Sequence, residues 1–188
     1  MSCDDLDYLP DVLDEIEEEM LLDQPNKRCI TGIRNYVMMK IMLTCGLSPE
    51  EILDLKWDEV DMIYSTITID KKDITKRRTV TMPHDAQEGL ENWSHRQRLE
   101  IGDCEYVFTT TKGGSICSRY IRAMVARYVD RTYISKDISP YNLRHTFGAK
   151  LYKKTGNIEE VKKALGLTAE YYARTYILLA DEDLNPLY

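Results

Sequence analysis

Apolar residues recur at three- and four-residue spacing through most of the chain and alternate in two short stretches. That pattern predicts a mainly α domain with a small antiparallel β-sheet, an α+β fold. Pro10 suits a first helical turn, and Leu13, Ile16 and Met20 then mark a short amphipathic helix that Gln24-Pro25-Asn26 breaks. Ile30, Ile33, Val37 and Ile41 form a stripe widened by Met38 and Met42, stopping at Cys45-Gly46. Ser48 as cap, Pro49 at the first helical position and Glu51 three residues on make a capping box for a short helix carrying Ile52, Leu53 and Leu55. Thr66-Ile67-Thr68-Ile69 and Thr79-Val80-Thr81-Met82 alternate and read as paired strands around a basic turn. Ala86 to Leu99 is a helix, Tyr106-Val107-Phe108 a short strand before the Lys112-Gly113-Gly114 turn, and Arg119 to Tyr128 a further helix. Ser139-Pro140 opens a helix running to about Lys154, before Gly156. Asn157 and Glu160 box the next one, which ends at Gly166, and Thr168 caps a last helix bearing Tyr171, Tyr172 and Tyr176.

The 188 residues suffice for one domain with a full core. The net charge of −7 changes the picture only when its distribution is read. Residues 1–25 hold ten acids and no base, and residues 181–188 hold three more acids, so nineteen acids face all 25 bases in between. The expected organisation is an acidic arm (1–25), a mildly basic body (26–180) and an acidic tail (181–188), compatible with nucleic-acid binding by the body. The arm is expected to lower any nucleic-acid affinity of the body or to engage a protein partner. Val37 to Cys45 is too short for a membrane span and is interrupted by Lys40 and Thr44, and the acidic start is no secretory signal, so a cytoplasmic protein without a membrane partner is expected. Five scattered cysteines without a Cys-x-x-Cys pair and only three histidines give no basis for a disulfide framework or a metal site.

Four segments, in order, resemble the tyrosine recombinase (phage integrase) family. Thr44 to Asp61, Thr-Cys-Gly-Leu-Ser-Pro-Glu-Glu-Ile-Leu-Asp-Leu-Lys-Trp-Asp-Glu-Val-Asp, is similar to the family's T-G-L-R-x-S-E-L-x-x-L-x-W-x-D-(I/V)-D stretch. The hairpin with Lys72 and Arg78 resembles the K-T-x-x-S-x-R-x-V-P segment. Ser139 to Phe147, Ser-Pro-Tyr-Asn-Leu-Arg-His-Thr-Phe, resembles H-x-L-R-H-T-F, and Leu165-Gly166-Leu167-Thr168 with Tyr176 resembles L-G-H-S followed by the nucleophilic tyrosine. The resemblance covers residues 28–180 and implies the DNA breaking–rejoining enzyme fold.

In that family a tyrosine hydroxyl attacks a DNA phosphate, forms a 3′-phosphotyrosyl bond and releases a 5′-hydroxyl. Two arginines clamp the non-bridging oxygens, because a guanidinium matches phosphate geometry. A lysine protonates the leaving oxygen and histidines assist proton transfer. The covalent intermediate conserves the phosphodiester energy, so no cofactor or metal is implied. Carried over by position, Tyr176 is the nucleophile, Arg144 the second arginine and Lys72 the lysine, with Lys71 and Lys76 as competitors. Tyr141 stands at the first histidine, Ser48 at the first arginine and Leu167 at the last histidine, so the set is incomplete. Arg77 or Arg78 could replace the missing arginine, and Arg77, Arg78, Arg119 and Arg122 are candidate DNA contacts. His145 reads as a structural histidine.

The function implied is that of a DNA-binding recombinase or integrase with impaired cleavage, acting on duplex DNA and assembling with further copies on it. Two alternatives stand beside it: an active recombinase with an unorthodox site, and a non-catalytic regulatory module that works through the acidic arm.

Overall fold

The apolar stripe at residues 30–45 becomes the central helix. The computed structural model describes residues 9–69, 77–168 and 170–180, with the side chains of 170–173 excepted. In it α2 (Ile30–Cys45) buries Ile33, Val37, Met38, Ile41 and Met42 and packs against both α4 (His84–Glu100) and α6 (Pro140–Thr155). Gly46 ends α2 at φ 67°. A Cβ there would lie 2.4 Å from the Phe147 ring, so the turn needs glycine for its backbone and for its space.

The box at Ser48 forms as the sequence predicts. Ser48 Oγ accepts from the Glu51 amide at 3.2 Å, and Glu51 Oε2 accepts from the Ser48 amide at 2.8 Å, starting α3 (Pro49–Asp54). A 3₁₀ turn at Trp57–Glu59 leads into β1 (Val60–Asp61), a strand the alternation did not announce because it is only two residues long. β2 (Thr66–Ile69) pairs antiparallel with β1 and with β3 (Arg78–Thr81), giving the order β1-β2-β3. Tyr106–Phe108 does not make a strand. It is held instead by one isolated bridge, Tyr106 to Lys56, and by side-chain bonds, with Trp93 Nε1 donating to Val107 O at 2.7 Å.

The first helix differs from its predicted stripe. α1 (Glu15–Leu22) starts at Asp14, whose carboxylate accepts from the Glu17 amide at 2.8 Å. Ile16 is 70% exposed, whereas Leu13, Leu21 and Leu22 lie in the main core. Residues 9–25 are thereby seated on the body. The Leu13 amide donates to Thr146 Oγ1 at 3.0 Å, Asn142 Nδ2 donates to Asp11 O at 2.8 Å, and Lys136 and Lys150 pair with Glu17 and Glu18. The acids that suggested a free arm are in part the partners of α6 and of the loop before it.

α5 (Ser118–Val129) packs near α3 and α6. α7 (Ile158–Leu165) and α8 (Glu170–Ala180) close the fold against α6 around a second, smaller apolar cluster. Val161, Leu165, Tyr176 and Leu179 form its centre, with Leu9, Val12, Phe147 and Leu167 packed against it. No helix among the described residues is long and apolar enough to cross a membrane.

Candidate active site

The site grows out of one face of α6. Residues 141, 144, 145 and 148 fall on neighbouring turns, and a helix carries such positions to one side. The next face, Asn142 and Thr146, is taken by the N-terminal segment.

Arg144 reaches across three elements. Its Nη1 donates to Gly46 O at 2.8 Å and to Glu51 Oε2 at 3.1 Å, and its Nη2 donates to Leu165 O at 2.5 Å. Arg78, from β3, meets the same carboxylate with a bidentate pair, Nη1 to Oε1 at 2.7 Å and Nη2 to Oε2 at 2.8 Å, and its Nε donates to Ala164 O at 2.7 Å. Two guanidiniums therefore converge on Glu51 while capping the last carbonyls of α7, where positive charge is favoured. Burial pushes the Glu51 carboxyl up, but the Arg78 hydrogen bonds and the charges of both arginines outweigh it and hold the group below its ordinary range.

Tyr141 donates to Glu50 Oε2 at 2.6 Å. Desolvation and that bond push its phenol up to about 12. Tyr176 is 3% exposed, its ring lying against α6 where Gly148 leaves room; a Cβ at 148 would sit 2.3 Å from Tyr176 Cε1. Its hydroxyl is 3.1 Å from His145 Nδ1, and the two rings lie 5.7 Å apart at 37°. Burial pushes Tyr176 up to about 12 against the opposing charge of Arg144, and burial with Arg144 pushes His145 down to about 4. Both groups are neutral across the physiological range.

The structure thus brings Arg144, Tyr141, Ser48 and Tyr176 into one neighbourhood, linked by Glu50, Glu51 and His145. The two glutamates had no assigned place in the site. Leu167 packs into the second cluster instead of presenting a polar group. Arg78 does not fit the DNA contact or substitute clamp expected of it, because its guanidinium is spent on Glu51 and Ala164 and its side chain is 5% exposed. Period-two alternation extended back from Val80 and Met82 was the signal for that inward direction. Arg77 is exposed. Arg119 and Arg122 lie on the exposed face of α5 and form no hydrogen bond or ion pair with a described residue. Lys72, with Lys71 and Lys76, lies outside the described residues. A separate cleft of about 330 Å³, lined by Trp57, Met62, Gln97, Arg98 and Cys104 among others, shares no residue with this site.

A helical domain that sets a tyrosine of its last helix against an Arg-His pair, with a capped helix and a three-stranded sheet beside them, has the architecture of tyrosine recombinase catalytic domains. The phage integrase family profile matches residues 11–183, and the chain belongs to that family. Among curated proteins it is 26% identical over 180 residues to the tyrosine recombinase XerC of Xanthomonas axonopodis pv. citri (strain 306), covering 96% of this chain and 58% of that protein. It is 25% identical over 185 residues to XerC of Staphylococcus epidermidis (strain ATCC 12228 / FDA PCI 1200), covering 96% and 61%. The chain therefore spans about three fifths of the curated relatives it matches. Among solved structures the XerA recombinase superposes with a TM-score of 0.81 at 22% identity, over 90% of this chain and 60% of that one. XerH bound to its palindromic difH substrate superposes with a TM-score of 0.80 at 24% identity, over 95% and 52%. These two likenesses show the fold.

Proposed function

We propose that this chain forms the catalytic-domain part of a cytoplasmic recombinase or integrase that binds duplex DNA for recombination or integration and cleaves it poorly. Tyr176 is the nucleophile, Arg144 donates to the non-bridging phosphate oxygens, Lys72 protonates the leaving 5′ oxygen and Tyr141 adds a hydrogen bond. Exposed Arg77, Arg119 and Arg122 contact backbone phosphates, whereas Arg78 serves to hold Glu51. Complexes of related folds with DNA support a duplex partner, including XerH on difH and the Tn1549 transposon integrase on circular-intermediate DNA. A lambda integrase dimer on its core site supports assembly of several copies on DNA.

One observation carries the impairment. Ser48 stands where the family's first arginine falls and is occupied as a helix cap, so Arg144 faces developing phosphate charge without the guanidinium that position would supply, and Arg78 is held by Glu51. Among the described residues, the two arginines of the cluster are matched by two glutamates, which offsets the positive charge that a phosphorane would favour. Incubation with a pool of nicked suicide duplexes tests this. Salt-sensitive DNA binding with little or no covalent adduct is expected. Efficient adduct formation that Tyr176→Phe abolishes would overturn the impairment, and absence of salt-sensitive binding would overturn the DNA partner.

A further inference from the structure

The family boxes carry three histidines, and this chain keeps only the middle one, His145: Tyr141 and Leu167 stand at the first and the last. The Tyr141 hydroxyl already donates its hydrogen bond to Glu50, and Leu167 can exchange no proton. Yet Tyr176 Oη is within hydrogen-bond reach of an imidazole, His145 Nδ1 at 3.1 Å, the distance at which a general base must stand.

We propose that His145 is the proton acceptor for the Tyr176 hydroxyl when that oxygen attacks phosphate. The inference rests on Tyr176 being the nucleophile. His145 directly follows Arg144, so consecutive residues of one helical turn aim in different directions. One side chain points toward Gly46, Glu51 and Leu165, the other toward Tyr176. No other described side chain hydrogen-bonds to Tyr176 Oη. In the step, the Oη–P bond forms, the P–O5′ bond breaks, the phenolic proton passes to His145 Nδ1, and the 5′ oxygen takes a proton from Lys72 in its proposed role. In rejoining, the imidazolium returns its proton to the tyrosine.

The charged and titratable groups acting on His145 among the described residues are Arg144, beside it on α6, and Tyr176 on α8. Besides burial, the Arg144 charge is what holds the imidazole in its neutral, weakly basic form. A phosphate arriving at Arg144 offsets that charge, so basicity at Nδ1 rises only when substrate is present.

Thymidine 3′-(p-nitrophenyl phosphate) tests this without knowledge of a DNA target, because its leaving group departs as the anion and needs no acid. The full chain is used in the native and Ser48→Arg backgrounds, reading p-nitrophenolate release and the covalent tyrosyl adduct by mass. His145→Asn places an acceptor near the Nδ1 position but cannot take up a proton. It should lower the Tyr176-dependent rate by roughly 10²–10⁴ with an unchanged melting temperature. It should also remove the pH inflection that the imidazole contributes above pH 4, and added imidazole should restore part of the rate in His145→Ala. Unchanged rate and pH profile in His145→Asn would overturn the proposal while leaving the nucleophile standing. Absence of any Tyr176-dependent adduct in both backgrounds would overturn the nucleophile and the proposal together.

Discussion

Arg144 Nη1 donates to Glu51 Oε2 at 3.1 Å, so the guanidinium that stands at the family's phosphate-binding position already holds a carboxylate. The same oxygen accepts from the Ser48 amide and from Arg78 Nη2. One side chain thus ties the start of α3 to β3 and α6, and the two arginines it holds reach the end of α7.

Replacing that carboxylate should be costly. Glu51→Gln leaves two largely buried guanidiniums without their counter-charge, and breaking a buried pair from one side typically costs about 3–5 kcal/mol. The pH dependence has a definite sign. Glu51 titrates below its ordinary 4.5 in the folded chain, so its contribution is fully present above the unfolded value and is lost as pH falls through the folded one. Urea denaturation of native and Glu51→Gln protein should show a large gap at pH 7 that narrows below about pH 4.5. A gap of equal size at pH 3 would show that the loss comes from packing and not from charge.

Much of this fold was legible from periodicity and caps. The stripe of α2, the Ser48 box and the two longer strands are local patterns, and local patterns survive into structure when packing agrees with them. The Glu51 cluster is different in kind. Sequence showed Glu51 only as the partner of Ser48, three residues away, whereas its other partners come from residues 78 and 144. Long-range ion pairs leave no periodic trace. Arg78 was legible in principle, since it shares the inward parity of Val80, but a basic turn beside it suggested a surface residue. Ile16 misled for the opposite reason: an apolar residue at the right spacing is exposed because Leu21 and Leu22 set the buried face of α1.

His145 gives a second pH prediction in a different window. Its folded value lies at about 4, below the ordinary 6.5, because burial and Arg144 oppose the imidazolium. The unfolded chain therefore binds the proton first, and stability falls as pH drops from about 6.5 toward 4. The shift corresponds to roughly 3 kcal/mol at the acid end. Thermal melts of His145→Asn should lack this decline, so the native curve should fall below the variant's on acidification. Parallel curves between pH 7 and 4 would show that the imidazole titrates freely in the folded protein.

The acidic stretch at the start of the chain needs a subtler experiment than removal. Deleting residues 1–25 would strip Leu13, Leu21 and Leu22 from the core, at several kcal/mol by the usual cost of emptying buried leucine sites. That deletion should unfold the domain and say nothing about charge. Glu15 and Glu19 are exposed on α1 and make no ion pair with a described residue. Glu15→Lys with Glu19→Lys should keep the melting temperature and tighten non-specific duplex binding at low salt, with a steeper dependence on salt. Unchanged affinity would remove this stretch from the DNA-repelling role and favour a protein partner for it.

The sharpest prediction concerns Ser48. An arginine there would add one positive charge to a cluster in which Arg78 and Arg144 are matched by Glu50 and Glu51. The Ser48 hydroxyl now serves the Glu51 amide, so Ser48→Arg gives up a cap at a cost of about 1 kcal/mol. It gains a guanidinium where the family's first arginine falls. Restoring one charge-stabilising donor is worth on the order of 10²–10³ in rate, and Ser48→Arg alone should recover only part of that. Leu167 still turns into the apolar cluster and offers phosphate no hydrogen bond. Adding Leu167→His should raise the adduct yield on nicked suicide duplexes further, while Tyr176→Phe should abolish adducts in every background. Thermal denaturation of each variant separates a folding loss from a chemical one. If Ser48→Arg folds, binds duplex as tightly as native protein and still forms no more adduct, a missing charge at position 48 is not what limits cleavage. The buried seat of Tyr176 against Gly148 would then be the barrier to attack.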